Sequence, residues 1–568
     1  MMILPVFSAR AVYDVPATNR IDWASYCGIP GGIPSRTTIF TNMTVGATSA
    51  QINSAITACP SNQVVFLPAG LYNLSGSLTF ATKSHKTLRG AGTNKTILNI
   101  TSGFISSDQY GWSGAANLAS GFTKGSTSVV FSATPNAQIT PGNLMKFRME
   151  DDTNFVFATA GSFPRRNVEF TVRVLTKSGT TVTFEPPLPW NLTNFNPQAE
   201  YLNGGPGLQR FGLEDMTITN SSGASATIQY VGTRQCWFKN IEVVKAADMS
   251  INLVDCLQTE VRDCVVKDVL NWPNQSDGFG VFLDGGSYWL VAGSIFLKVG
   301  NPILLKNSAS AGAILYNYFD YTAFVGVDRQ LPDINFGHGA HNMMVLAEGN
   351  VCAKIQHDAY HGSASHLTMF RNFVHGTNGS STIVNWKIPI DILRGTYWCY
   401  VVGNILGDAS WTNDASFKYS ITGSGAYTDH GIFRLGYPNS GNASLTETAG
   451  NAWIDDYAWF DPYPDLKVTN TMTIHMNYDY FTHSQRVYGS EDQTLPDSFF
   501  FTSQPTDLTT KWPAFNPASP LTAHPTNTQA GHRVWYGTNF VASGGEEPPP
   551  EPTVTTIAGQ TVRKAKPR

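Results

Sequence analysis

A short motif recurs through the middle of the chain and narrows the folds open to it. Each copy has a few apolar or aromatic residues, then Asn or Asp, then an apolar run, then a turn. The copies read Leu-Glu-Asp215-Met-Thr-Ile, Phe-Lys-Asn240-Ile-Glu-Val, Val-Arg-Asp263-Cys-Val-Val, Leu-Tyr-Asn317-Tyr-Phe, Glu-Gly-Asn350-Val-Cys, Phe-Arg-Asn372-Phe-Val and Val-Gly-Asn404-Ile-Leu. Their spacings are 25, 23, 54, 33, 22 and 32 residues. The long gap holds two units, because Trp289-Leu-Val-Ala-Gly-Ser-Ile-Phe fills the missing place with its Asn lost. Repeats of this length mark a stacked architecture. The units are short β-type runs without helical periodicity, so the expected fold is all-β: a right-handed parallel β-helix, a solenoid of single-chain coils. A buried amide at each bend needs partners, and a matching Asn one coil away supplies them.

Charged residues make up 14% of the 568, well under the usual quarter. With 12% aromatics and 51 Gly, this profile suits a long, turn-rich β protein with a neutral hydrogen-bonding surface. A net charge of −4 without a basic stripe argues against nucleic acid as a partner. No apolar run is long enough to span a membrane. The start, Met-Met-Ile-Leu-Pro-Val-Phe-Ser, lacks the basic residues of an intact signal peptide and fits a trimmed leader on a secreted chain. Seven Cys cannot all pair internally. Cys27 and Cys59 are the expected disulfide, and Cys236, Cys256, Cys264 and Cys352 read as buried thiols inside the coil.

Residues 1–47 form an N-terminal segment. Residues 48–105 read as a capping helix and first rungs, with Ile52, Ala55 and Ile56 on one helical face. Such a helix plugs the open end of a solenoid, whose bare edge would invite aggregation. Residues 106–205 break the rhythm with strand-like runs and read as a β insertion. The rungs continue over 206–490, residues 491–543 read as a tail packed along the coil, and 544–568 as a Pro-rich linker that leaves room for a further C-terminal module.

Ala58-Cys-Pro-Ser-Asn-Gln-Val-Val-Phe-Leu-Pro-Ala-Gly-Leu-Tyr and Thr87-Leu-Arg-Gly-Ala-Gly resemble opening rungs of the pectate-lyase-like superfamily. Leu346-Ala-Glu-Gly-Asn and Thr368-Met-Phe-Arg-Asn resemble rungs of bacterial secreted β-helix proteins. The resemblance covers roughly residues 45–490 and implies the fold. It leaves the activity open among lyases, glycoside hydrolases, epimerases and phage tailspikes.

The densest polar stretch is 335–375, which holds six of the twelve His. Glycoside hydrolysis needs two carboxylates; Glu348 and Asp358 are the expected pair, with Asp277 and Asp284 in reserve and His338 or His361 tuning them. β-Elimination on a uronic-acid polymer would instead use Arg371 or Lys354 as the cation and His361 or Tyr360 as the base. Strand alternation, counted from the Asn, turns Arg371 outward onto a groove wall. Gln275-Ser-Asp277-Gly and Gly337-His338-Gly are faintly similar to elements of polygalacturonase-type hydrolases, but the paired aspartates and the Arg-Ile-Lys element of that pattern are missing. Substrate contacts are expected at Asp277, Asp284, His341, Lys354, Tyr360, Trp272, Trp289 and Trp386, with Trp112, Trp398, Trp411 and Trp453 as further stacking platforms. His338 and His341 lack a third metal ligand at a fixed spacing, so no metal is assigned. Glu150-Asp151-Asp152 could meet Ca²⁺, but three adjacent acids point in different directions. The expected function is a secreted polysaccharide-cleaving enzyme, leaning to hydrolase. The alternatives are a lyase and a non-catalytic glycan-binding or tailspike-like adhesin.

Overall fold

The computed structural model describes residues 11–81, 83–107, 111–156, 158, 166–193, 195–270, 278–320, 330–359, 361–377, 386–409, 411, 417–421, 430–437, 465–486, 493–505 and 512–520. Trp272, Asp277, Tyr360, Trp453 and the 544–568 linker lie outside them. Among the described residues, no helix is long and apolar enough to cross a membrane.

Alternating apolar residues stack rung on rung into a parallel β-helix. On the first sheet the inward row runs Leu213, Phe238, Val261, Val291, Ile314, Ala347, Met369 and Val401, each paired in parallel with the next. The second sheet aligns Ile218, Val243, Val266, Phe296 and Phe319. The third aligns Ile228, Ile251, Val281, Ile303, Ile334, Ile355, Ile390 and Phe433. Helix Ser49–Ala58 closes the first end: Thr48 and Gln51 form a reciprocal capping box, and Ile52 and Ile56 are buried.

The asparagine ladder is present. The Asn350 side chain donates to Asn372 Oδ1 at 2.9 Å, Asn372 to Asn404 at 2.9 Å, and Asn404 to Asn477 at 2.9 Å. Each Oδ1 also accepts the backbone N–H of the preceding rung, as Asn372 does from Asn350 at 3.0 Å. The ladder starts where Ser294 replaces Asn: its N–H donates to Asn317 Oδ1 at 2.9 Å.

The earlier copies stand one position off this column. Asp215, Asn240 and Asp263 occupy the left-handed corner, with φ of 57°, 49° and 54°. That corner is filled in later rungs by Gly293, Tyr316, Gly349, Arg371 and Gly403. The sequence motif therefore merged two columns. Asn and Asp are favoured at the corner because they tolerate positive φ, and Asn is favoured beside it because its amide bridges rungs. The expected Cys27–Cys59 disulfide is also corrected. Both thiols are free and buried, and Cys27 Sγ faces Ala311 O at 3.2 Å on a rung far from the cap.

Six strands, the first starting at Trp112 and the last ending at Leu202, form a closed antiparallel barrel. Phe131, Phe147, Phe170 and Phe184 fill it, with the Phe147 and Phe184 rings 4.8 Å apart. The barrel is stitched to the solenoid through main-chain donors. Glu169 N–H donates to Ser308 Oγ at 2.9 Å, and Thr171 N–H to Ser287 Oγ at 3.1 Å. The solenoid returns a bond from His341 N–H to Asn167 O at 2.9 Å.

Replacing Asn372 with Ala removes the single Oδ1 that accepts both the backbone N–H and the side-chain amide of Asn350, and leaves the buried backbone N–H unsatisfied. The expected loss is about 1–3 kcal/mol of stability, read as a lower denaturant midpoint, with unchanged activity in the folded fraction.

Candidate functional site

The barrel and the solenoid meet over a cleft of about 200 Å³. Its solenoid wall comes from the corner that follows the third sheet, where Val254 pairs with Asp284 and Asp284 with Lys306. Asp255, Asp284 and Asn307 line that wall; Lys146, Arg166 and Glu169 line the barrel wall. Lys146 Nζ lies 2.8 Å from Asp255 and 3.0 Å from Glu169. The Trp112 indole donates to Asp255 at 2.7 Å, and Lys146 stands 4.6 Å above its ring. Asn307 donates to Asp284 at 2.6 Å. Gly285 makes this possible: its φ is +74°, and a Cβ there would sit 2.5 Å from Asp255 Oδ1.

The charges are arranged unevenly. Burial raises the Asp284 carboxyl above the ordinary aspartate range, and nearby Lys306 and the Asn307 amide only partly oppose it. Burial likewise raises Glu169 against the pull of Lys146. Burial alone would lower the Lys146 ammonium, but Asp255 and Glu169 override it and hold the proton on. One cation thus sits between two acidic groups, and burial raises a third carboxyl next to them.

Beside the cleft is a second polar group. His338 Nδ1 lies 3.3 Å from Asp358 Oδ2, which also accepts from Asn335 at 2.7 Å. Burial opposes ionisation of Asp358, yet His338 and Asn335 hold it below the usual range. The His361 ring meets His338 edge-on at 4.5 Å, and burial pushes His361 down to about 4.

The other expected residues are elsewhere. Glu348 is fully buried on the first sheet beneath the C-terminal segment, accepting from Phe499 N–H at 2.9 Å, from Tyr316 OH at 3.1 Å and from the Ser498 hydroxyl. It therefore stands on a different sheet from Asp358. Arg371 does not face a groove: it is 5% exposed and donates to Pro496 O at 2.9 Å and Phe515 O at 2.7 Å, strapping the same segment down. The alternation argument failed because Arg371 is a corner residue with φ 47°, outside the extended strand. Lys354 is buried against Asp391 at 2.7 Å, and Asp391 also holds Arg434. Trp386 lies beneath Lys354 and Arg434. Trp289 is a core side chain pressed on Gly312. His341 is buried between Ser363 and Ser365.

The acids at 150–152 are spent on their own loop. Glu150 pairs with Arg166 at 2.9 Å, Asp151 accepts from Asn167 at 2.7 and 2.6 Å, and Asp152 accepts from Asn154 N–H at 2.9 Å. Of the cleft, only Asp284 was singled out from sequence. Aligning Val254-Asp255, Asp284-Gly285 and Lys306-Asn307 rung on rung, two adjacent polar columns, would have exposed its solenoid wall. Nothing local marks Lys146 and Glu169, which reach the cleft through the docking of the barrel.

A carboxyl raised in the fold stabilises it at low pH. Burial lifts Glu348 to about 7, so its contribution is complete below the ordinary glutamate range and is lost as pH rises through 7. Proteolysis of residues 493–520 should therefore quicken from pH 5 to pH 8 in the native protein, and Glu348→Gln should flatten that dependence.

Residues 44–269 match the family model described as rhamnogalacturonase A/epimerase, pectate lyase-like. No curated protein matches the chain. Among solved structures, the tailspike gp61 of Pseudomonas phage phi297 aligns at 13% identity over 68% of this chain and 65% of that one, with a TM-score of 0.46. The Gp54 tailspike of Acinetobacter baumannii bacteriophage AP22, solved with a capsular saccharide, aligns at 12% identity over 68% and 66%, TM-score 0.34. The polygalacturonase of Erwinia carotovora aligns at 11% identity over 71% and 94%, TM-score 0.30. The chain thus spans just under two thirds of the two tailspikes, 65% and 66%.

Proposed function

We propose, from the premise that this chain is a pectate-lyase-like parallel β-helix protein, that it is a polysaccharide-active enzyme that hydrolyses glycosidic bonds in the cleft between barrel and solenoid. One observation carries this reading: Asp255, Asp284 and Glu169 gather around Lys146 in a single cleft. Hydrolysis of an acetal linkage needs one carboxyl that keeps its proton for the leaving oxygen and one carboxylate for water or the anomeric carbon. Asp284, raised by burial, is the acid. Asp255, ion-paired with Lys146, is the base or nucleophile. Glu169 holds Lys146 in place from the barrel side. The family description, with its rhamnogalacturonase, favours the same substrate class.

A second reading is β-elimination, favoured by Lys146 and Arg166 on one wall, where they could neutralise a uronate carboxylate. The products separate the two. Hydrolysis gives new reducing ends alone, whereas elimination adds the ultraviolet absorbance of an unsaturated uronate.

Asp284→Asn and Asp255→Asn should each lower kcat by on the order of 10²–10⁴ on the polysaccharide that the native protein cleaves. Glu348→Gln, under the C-terminal strap, should leave it unchanged at pH 5. Activity should fall as pH rises through the elevated Asp284 range, because the acid then loses its proton. Full activity in both Asn variants would remove the cleft from the chemistry.

A further inference from the structure

Among the described residues, bonded contacts between barrel and solenoid bound the cleft at both ends along the solenoid axis. Toward the earlier rung it stops at the Trp112 indole, which bonds Asp255 at 2.7 Å and lies under Lys146. Toward the later rung it stops where His341 N–H meets Asn167 O at 2.9 Å, beside Ala340 of the lining. The flank is sewn shut by the bonds of Glu169 to Ser308 and Thr171 to Ser287, at 2.9 and 3.1 Å. What remains is the side toward the outward row Asp284 and Lys306 of the third sheet. The space inside, about 200 Å³, is below the roughly 300–1,000 Å³ of pockets that enclose a drug-sized ligand. It suits one pyranose ring with its hydroxyls.

We infer that the protein acts on chain ends: one terminal sugar enters the cleft from the third-sheet side, and the bond cut is the one at its mouth. Among the described residues, a polymer lying along the solenoid axis would have to pass Trp112 or Asn167, and both positions carry bonded contacts between barrel and solenoid. The carboxyls then meet only the linkage that joins the enclosed unit to the next. The barrel thus has a specificity role: it turns a solenoid surface, open to internal segments of a polymer, into a blind pocket.

This inference rests on the hydrolytic reading, and one experiment separates their failures. The full chain is incubated with rhamnogalacturonan, polygalacturonate, alginate and bacterial capsular polysaccharide. Polymer mass by light scattering and small products by chromatography are followed together. Chain-end action predicts a single small product from the first time point while polymer mass declines slowly and in proportion to it. A rapid collapse of polymer mass, with a ladder of intermediate oligomers, would overturn the chain-end inference and leave the hydrolytic reading standing. No product from any of the polymers would overturn the hydrolytic reading and the inference with it.

Discussion

Stacking identical turns at one β-sheet spacing forces each polar group at a bend to find its partner in the neighbouring rung. The asparagine ladder from Asn317 to Asn477 meets that demand, with every amide bridging to the next and every Oδ1 also accepting a backbone N–H. In the dry interior an unsatisfied amide is costly. The ladder therefore fixes rung register. Register in turn sets two adjacent columns after the third sheet, Asp284 with Lys306 and Asp255 with Asn307, and so brings Asp255, Asp284 and Asn307 to one wall.

The second wall comes from a different fold principle. The barrel closes on itself, leaving few free strand edges, and docks through main-chain donors to Ser287 and Ser308. Its charged residues then oppose those of the solenoid. Lys146 faces two carboxylates, and removing it would leave Asp255 and Glu169 without their counter-charge. The site is a product of two surfaces, neither of which holds the full set.

The sequence was legible where one physical demand repeats. The apolar alternation and the recurring Asn disclosed the solenoid, and Ile52, Ala55 and Ile56 on one helical face disclosed the cap. Legibility failed where two demands select the same residue type at adjacent positions. Asp215 and Asn240 serve positive φ, whereas Asn350 and Asn372 serve the ladder, and in the later rungs the corner falls to residues such as Arg371, which strand alternation treats as extended. Arg371 and Glu348 hold the C-terminal strap, a role written in contacts more than a hundred residues away. Within 106–205 the strand-like runs were visible, but closure into a barrel and the direction in which Lys146 and Glu169 project depend on long-range pairing.

The central claim is that a glycan is held and cut between barrel and solenoid. Site-resolved carboxyl labelling, read by mass spectrometry with and without an oligosaccharide cut from the protein's own substrate, tests it most directly. The account predicts that Asp255, Asp284 and Glu169 become protected together while Asp268, a half-buried acid on the second-sheet side, is labelled as before. Protection confined to carboxyls away from the cleft, with Asp255 and Asp284 labelled equally in both conditions, would contradict it.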